Sequence, residues 1–232
     1  MTSIFITLVM ESLKSCFYKY KFDINRDQIN IFYKFLEKFK IENKKLNLSS
    51  IRDDESIILK HFIDSLMILK FVDLKWKIAD IWTGWWFPWL PLKIYLKDQI
   101  DIDYIDWKSK KIRSLKSMSD YLNLNWNFID KHSDELIKDN KYRNRYDYIL
   151  VRAVWFAPKV IKMTKHLLKK EGTLILYKKY DIDEINVTHK FLEEKKYPPL
   201  VIKKYFLKES ERVFLLINTN KWKNSNIQKS ML

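Results

Sequence analysis

Glycine is almost missing from this chain. Average usage of about 7% would put roughly 16 glycines in a protein of this length, yet there are two, Gly84 and Gly172. Alanine is scarce too, at Ala79, Ala153 and Ala157, and arginine supplies only 7 of the 44 basic residues. Together these shortages look like the imprint of an AT-rich gene. The single cysteine, Cys16, excludes an internal disulfide framework and any cysteine-based zinc cluster, and fits a reducing cytosol. Long apolar runs are also absent. The one near the start, Ile4 to Met10, is far short of the ~20 residues of a membrane span and lacks the basic flank of a signal peptide. A soluble, cytoplasmic protein is expected, with no membrane partner, no bound metal and no obligate protein partner inferred.

What is present points to a folded protein with an anionic partner. At 232 residues, 47% hydrophobic and 16% aromatic, the chain holds one or two domains and lies far from the disordered class. Lys and Arg outnumber Asp and Glu by 44 to 29, for a net charge of +15, which favours nucleic acid or an acidic membrane surface as partner over an acidic protein. Nine tryptophans remain unexplained. The standard Trp codon is G-rich, so AT-rich drift should have thinned Trp along with Gly.

Apolar spacing predicts an amphipathic helix from Asp23 to about Phe39 and a second from Asp54 to Phe71. Beyond them the pattern changes to short apolar runs alternating with helical stretches. Lys77–Trp82, Ile100–Asp106, Asn125–Ile129, Tyr146–Val151, Thr173–Tyr177 and Val213–Asn218 read as strands of a parallel α/β sheet. This divides the chain into a helical segment 1–71, a sheet domain 72–218 and a polar tail 219–232.

The loop after the first strand carries the sharpest signal. Asp80-Ile81-Trp82-Thr83-Gly84-Trp85-Trp86-Phe87-Pro88-Trp89-Leu90-Pro91-Leu92 lies where a nucleotide-binding α/β fold places its ligand. Such a loop needs residues without Cβ, and four indoles do not meet that need. With each Trp read as Gly the stretch becomes very similar to the S-adenosylmethionine loop of the RsmG (GidB) family of 16S rRNA guanine-N7 methyltransferases. Other segments resemble that family as well: Asn43 to Ile51, His61-Phe62-Ile63-Asp64-Ser65, Ile105-Asp106 with Lys110-Lys111, Tyr146-Asp147 with Arg152-Ala153-Val154, and Leu176-Tyr177-Lys178. The resemblance covers roughly Asp23 to Asn218.

The resemblance implies a Rossmann-like, S-adenosylmethionine-dependent methyltransferase sheet with helices on both faces, preceded by a helical N-terminal segment. It implies S-adenosylmethionine as cofactor and a guanine in the decoding-site loop of 16S rRNA, in the small ribosomal subunit, as target. Asp106 ends the second strand, where a carboxylate accepts two hydrogen bonds from a ribose diol; Asp80 ends the first. The cofactor would also meet Trp82, Gly84, Phe87, Ser133, Asp134 and Arg152. Ser133 and Asp134 depart from the family's small-residue-plus-Glu pattern, and Asp134 could simply open a helix. Arg152 and Lys178 are pocket candidates without an acid–base role. His61 and Asp64, three apart on one helical face, would edge the cleft on the RNA side with Lys44, Lys45, Lys108, Lys110, Lys111 and Arg113. A further basic group, Lys141, Arg143 and Arg145, precedes the fourth strand. Each cluster could equally be the solvated face of a lysine-rich protein.

Two questions remain open at this level. Trp82, Trp85, Trp86 and Trp89 fall where the family carries Gly, and Trp76 and Trp155 where Gly or a small residue is common, so UGA read as glycine would explain both anomalies. If the tryptophans are real, a non-catalytic RNA- or ribosome-binding protein without a cofactor site is favoured; a methyltransferase acting on a small molecule or a protein is a third reading. Met10-Glu11-Ser12-Leu13 resembles the family's beginning, so residues 1–9 are expected to be an over-extended reading frame.

Overall fold

The computed structural model describes residues 2–82, 86–106, 109–125, 127–131, 133–152 and 156–219. Helix α1 (Thr2–Lys19) runs unbroken past Met10. Its buried side is Val9, Leu13 and Phe17, while Ile4, Phe5 and Leu8 face outward. Helix α2 (Arg26–Leu46) starts later than its apolar spacing suggests because Asn25 forms a reciprocal cap. The Gln28 N–H donates to Asn25 Oδ1 (2.9 Å) and the Asn25 N–H to Gln28 Oε1 (3.0 Å), satisfying two donors that the first turn leaves open. The helix also ends later than Phe39. Its last polar turns continue to Asn47, which takes the left-handed C-cap conformation at φ 49°.

The second expected helix is wound unevenly. Asp53 caps α3 (Asp54–Ile57) by accepting from the Ser56 N–H (2.8 Å); a π-helical stretch Ile58–Ile63, α4 (Asp64–Leu66) and a 3-10 turn Met67–Lys70 follow. His61 lies within the π-helical stretch and Asp64 follows it directly, so their register is not that of a regular α-helix; both residues stand beside Arg152.

Seven strands form one sheet: β1 (Trp76–Ile81), β2 (Ile100–Asp106), β3 (Asn127–Asp130), β4 (Tyr146–Arg152), β5 (Leu168–Lys179), β6 (Val201–Leu207) and β7 (Ser210–Asn218). Their order is β3-β2-β1-β4-β5-β7-β6. The first five are mutually parallel, and β7 runs antiparallel to both β5 and β6. β6 was not among the expected strands because Lys203 and Lys204 interrupt its apolar run. Lysines are the usual protection of an edge strand against further pairing, which is the position β6 occupies. β5 begins at Leu168, ahead of the expected Thr173, after a register shift opposite Tyr146 and Tyr148. Gly172 sits at that irregularity, where a Cβ would lie 2.9 Å from the Tyr146 carbonyl oxygen.

Helices α5 (Trp89–Leu96), α6 (Ser109–Leu122), α7 (Ser133–Lys138), α8 (Ala157–Thr164) and α9 (Ile182–Glu194) complete the architecture. Two buried clusters divide the two faces of the sheet. One joins the N-terminal helices to α5, α6 and the strands through Phe32, Phe35, Phe62, Leu90, Tyr104 and Tyr177. The other packs α8 and α9 on the opposite face through Ile149, Val151, Val160, Leu174, Leu176 and Ile185. The sheet alternates its side chains between these layers: Tyr177 belongs to the first cluster, its neighbour Leu176 to the second. Among the described residues no helix is long and apolar enough to cross a membrane.

Candidate active site

The sheet reverses its strand order between β1 and β4, and a parallel sheet opens its ligand crevice beyond the carboxyl ends at such a point. β1 carries Asp80 at that end and β2 ends on Asp106, both buried, at 1% and 2% exposure. Burying a carboxylate is costly unless hydrogen bonds or charges answer it, so two at adjacent strand ends mark a polar site inside an apolar sheet. The chain leaves β1 at Trp82. Its N–H still reaches β2, donating to the Ile105 carbonyl (2.9 Å), and its φ of 58° then turns the backbone away. Trp86 follows at φ 68°. The left-handed conformation costs a residue with a Cβ about 1–2 kcal/mol. The Trp86 indole is fully buried, edge-on to Phe35 and Phe39 (6.1 and 5.7 Å between centroids). Its Nε1 has no hydrogen-bond partner, a further penalty of about 1–3 kcal/mol.

Phe87 ties this loop to the N-terminal helices. Its ring stacks on His61 at 4.4 Å and 11° and lies near Phe35, Phe39 and Phe62, while the Arg152 guanidinium stands 5.8 Å from its centroid. His61 Nε2 is 3.0 Å from Ser49 Oγ, and His61 Nδ1 is buried without a partner. Burial, and then the nearby Arg152 charge, push the imidazole down from its ordinary 6.5 to about 3. The ring is therefore neutral at physiological pH.

Asp64 is fully buried beneath this face. Its Oδ2 accepts from Arg152 (2.8 Å) and Arg212 (2.9 Å), and its Oδ1 from the Tyr205 hydroxyl (2.7 Å). Arg152 also donates to the Lys60 carbonyl (2.6 Å), and the Tyr177 hydroxyl to the Ser65 carbonyl (3.0 Å). The stretch from Lys60 to Ser65, across the π-helical turn and α4, is thus pinned to the ends of β4 and β5 and to the β6–β7 hairpin. Burial and the Asp64 charge push the Tyr205 phenol up, so it stays a donor. Arg212 and Tyr205 escaped the sequence reading altogether.

The remaining expected residues fall in several places. Lys178 bonds Glu184 (2.7 Å), whose Oε1 also accepts from the Ala157 N–H (3.0 Å), so it ties β5 to the starts of α8 and α9. Lys44 and Lys45 are exposed on the last turn of α2, close to the site through Asn47 and Ser49. Arg113 is exposed on α6. Lys110 and Lys111 lie on α6, and Ser133 and Asp134 open α7. Gly84 and Lys108 lie outside the described residues. Lys141, Arg143 and Arg145 precede β4 and so stand at the amino end of the strands, opposite the crevice. Arg145 is engaged there by buried Asp103 (3.2 Å), which also accepts from Lys77 and Tyr146. Among the described residues no group of three or more His, Cys, Asp or Glu could hold a metal ion.

The family described as rRNA small subunit methyltransferase G (GidB) matches residues 26–213. The chain belongs to that family. A relative from Desulfitobacterium hafniense, named ribosomal RNA small subunit methyltransferase G, is 34% identical over 157 residues, 67% of this chain and 65% of that protein. One of the same name from Mycoplasma capricolum is 35% identical over 168 residues, 70% of each. The chain spans about two thirds of the length of these curated relatives. In fold it is similar to a methyltransferase from Pyrococcus furiosus (TM-score 0.56, 13% identity, 82% of this chain and 98% of that one). It is likewise similar to a SAM-dependent methyltransferase from Aquifex aeolicus (TM-score 0.53, 18% identity, 77% and 98%). The sheet is thus the Rossmann-like one of S-adenosylmethionine-dependent methyltransferases. The buried acids at the ends of β1 and β2 fit a cofactor with a ribose and a charged amino-acid end. The loop as written does not: where a family member needs bare backbone, it carries indoles in left-handed conformations.

Proposed function

We propose that the chain transfers a methyl group from S-adenosylmethionine to N7 of a guanine in the decoding-site loop of 16S rRNA. The observation that carries this reading is the family match over residues 26–213, laid on a sheet whose crevice end holds Asp80 and Asp106. S-adenosylmethionine supplies a methyl group already activated on a sulfonium. Guanine N7 has a free lone pair at neutral pH, so no side chain has to remove a proton first. The task left to the chain is alignment, a contribution of up to about 7–11 kcal/mol in favourable systems. Asp106 would hold the ribose and Asp80 the loop or the methionine end. Arg152, fixed by Asp64 and lying over Phe87, would shape the pocket wall. Lys44, Lys45 and the basic start of α6 would meet phosphates, contacts that supply affinity without reading sequence. The target would be met in the small ribosomal subunit or its precursor, in the cytoplasm.

Asp106→Ala, made together with Trp82→Gly, Trp85→Gly, Trp86→Gly and Trp89→Gly so that the loop has bare backbone, tests the assignment against that same glycine-loop form without it. Removing charge-assisted hydrogen bonds costs about 1.5–3 kcal/mol, so S-adenosylmethionine affinity is expected to fall roughly ten- to hundredfold by calorimetry. Methyl transfer to unmethylated small subunits, read as N7-methylguanosine, should fall with it at limiting cofactor. Unchanged affinity would remove Asp106 from the site. A glycine-loop form that methylates no small-subunit RNA would overturn the reading itself.

A further inference from the structure

Four tryptophans lie among the described residues, Trp76, Trp82, Trp86 and Trp89. Three of them have positive φ, at 66°, 58° and 68° for Trp76, Trp82 and Trp86. Only a few per cent of non-glycine residues adopt this region, with Asn and Asp several-fold enriched. The other seven such positions here are all Lys or Asn, namely Lys21, Asn47, Lys97, Asn123, Asn144, Lys196 and Lys208.

The three sites share no local cause. Trp76 opens β1 and is 66% exposed; Trp82 is half-buried where the chain leaves the same strand; Trp86 is fully buried. What they share is the residue type and a backbone that suits glycine, in a chain with nine Trp and two Gly. We propose that positions 76, 82 and 86 hold glycine in the protein as its own cell makes it, with the codon UGA read there as glycine. The other tryptophan positions follow from the same codon. Each left-handed φ then becomes an ordinary glycine conformation, and the buried indole with its unsatisfied N–H disappears. At 82 and 86 the loop gains the bare backbone that lets a ligand approach.

The significance of positions 82 and 86 for cofactor binding rests on the proposed function. Trp76 does not depend on it, because it stands at the opposite end of β1 from the crevice. The deciding experiment is the mass of the tryptic peptide 78–93 from protein purified out of its source cells, together with the gene's codons at 76, 82 and 86. That peptide holds four of the nine tryptophan positions. The expected result is UGA at all three codons and a peptide lighter by one glycine-for-tryptophan difference at each recoded position. An indole at 82 or 86, or UGG codons there, overturns the proposal.

A parallel measurement separates it from the functional reading. The chain as written and a form with Trp82→Gly, Trp85→Gly, Trp86→Gly and Trp89→Gly are each titrated with S-adenosylmethionine. Binding by the glycine form alone is expected. Binding of equal strength by the chain as written would refute the claim that indoles close the loop. A glycine peptide from the cell with no binding by either form would leave the recoding standing and sink the methyltransferase reading. Trp76→Gly alone is expected to raise the urea midpoint, since it relieves backbone strain at an exposed position with little packing to lose; a lowered midpoint would argue against glycine at 76.

Discussion

Replacing Asp64 with alanine is expected to destabilise the fold by about 3–5 kcal/mol, the loss seen when one partner of a buried ion pair is removed and the other is left behind. The carboxylate is fully buried and answers two guanidiniums and a phenol. Arg152 and Arg212 come from different strands, β4 and β7, and the Arg212 Nε is itself buried without a hydrogen-bond partner. Without Asp64, two cations would face each other across a small cavity with nothing between them. Asp64→Asn should cost less, since it keeps the shape and one acceptor. Tyr205→Phe, which removes a single hydrogen bond, should cost about 1 kcal/mol. Urea unfolding of the three variants measures this ordering. A loss under about 1 kcal/mol for Asp64→Ala would show that water reaches the network and that its charges are already solvated. Arg152 is also the residue that lies over Phe87, so in Asp64→Asn, which should still fold, a raised KM for the cofactor or the RNA would report its displacement.

Much of this arrangement was legible in the residues, for reasons that also set the limits. Buried parallel strands are apolar on both faces, so β1, β4 and the second half of β5 stood out as short apolar runs; β7, antiparallel but buried, did so too, and the acids Asp80 and Asp106 at the ends of β1 and β2 were conspicuous. β6 is an edge strand with lysines at 203 and 204, and no apolar run betrays it. The apolar spacing of Ile58–Ile63 is that expected of an α-helix, so the π-helical winding of this stretch appears only in three dimensions. Tyr205 and Arg212 reach Asp64 across 141 and 148 residues, a pairing that no local pattern encodes. Charge alone grouped Lys141, Arg143 and Arg145 with the other basic residues, whereas strand polarity puts them at the far end of the sheet. The tryptophans were odd by count and by place, but only the backbone shows that three of them stand in conformations suited to glycine.

His61 makes the pH dependence of stability a direct probe of the site. Its folded-state pKa lies near 3, well below the 6.5 of an exposed histidine, because burial and Arg152 oppose a second positive charge. As pH falls below about 6.5 the unfolded chain takes up a proton at this ring and the folded chain does not, so stability present above that pH is progressively lost, and the loss ends only near the folded value. The slope approaches about 1.4 kcal/mol per pH unit. Between pH 7 and 5, before ordinary carboxylates titrate, the protein should therefore lose about 2 kcal/mol at this residue. His166 is shifted the same way by burial, Lys165 and Arg143, so the informative quantity is a difference between proteins. His61→Gln keeps a neutral polar group beside Ser49 and should flatten the slope by most of that amount in urea unfolding series at pH 7, 6 and 5. Equal slopes would mean that the folded protein accepts the proton, which requires the ring to move off Phe87 and away from Arg152. Because that stack fastens the loop after β1 to the N-terminal helices, the same titration reports how firmly the crevice is closed on that side.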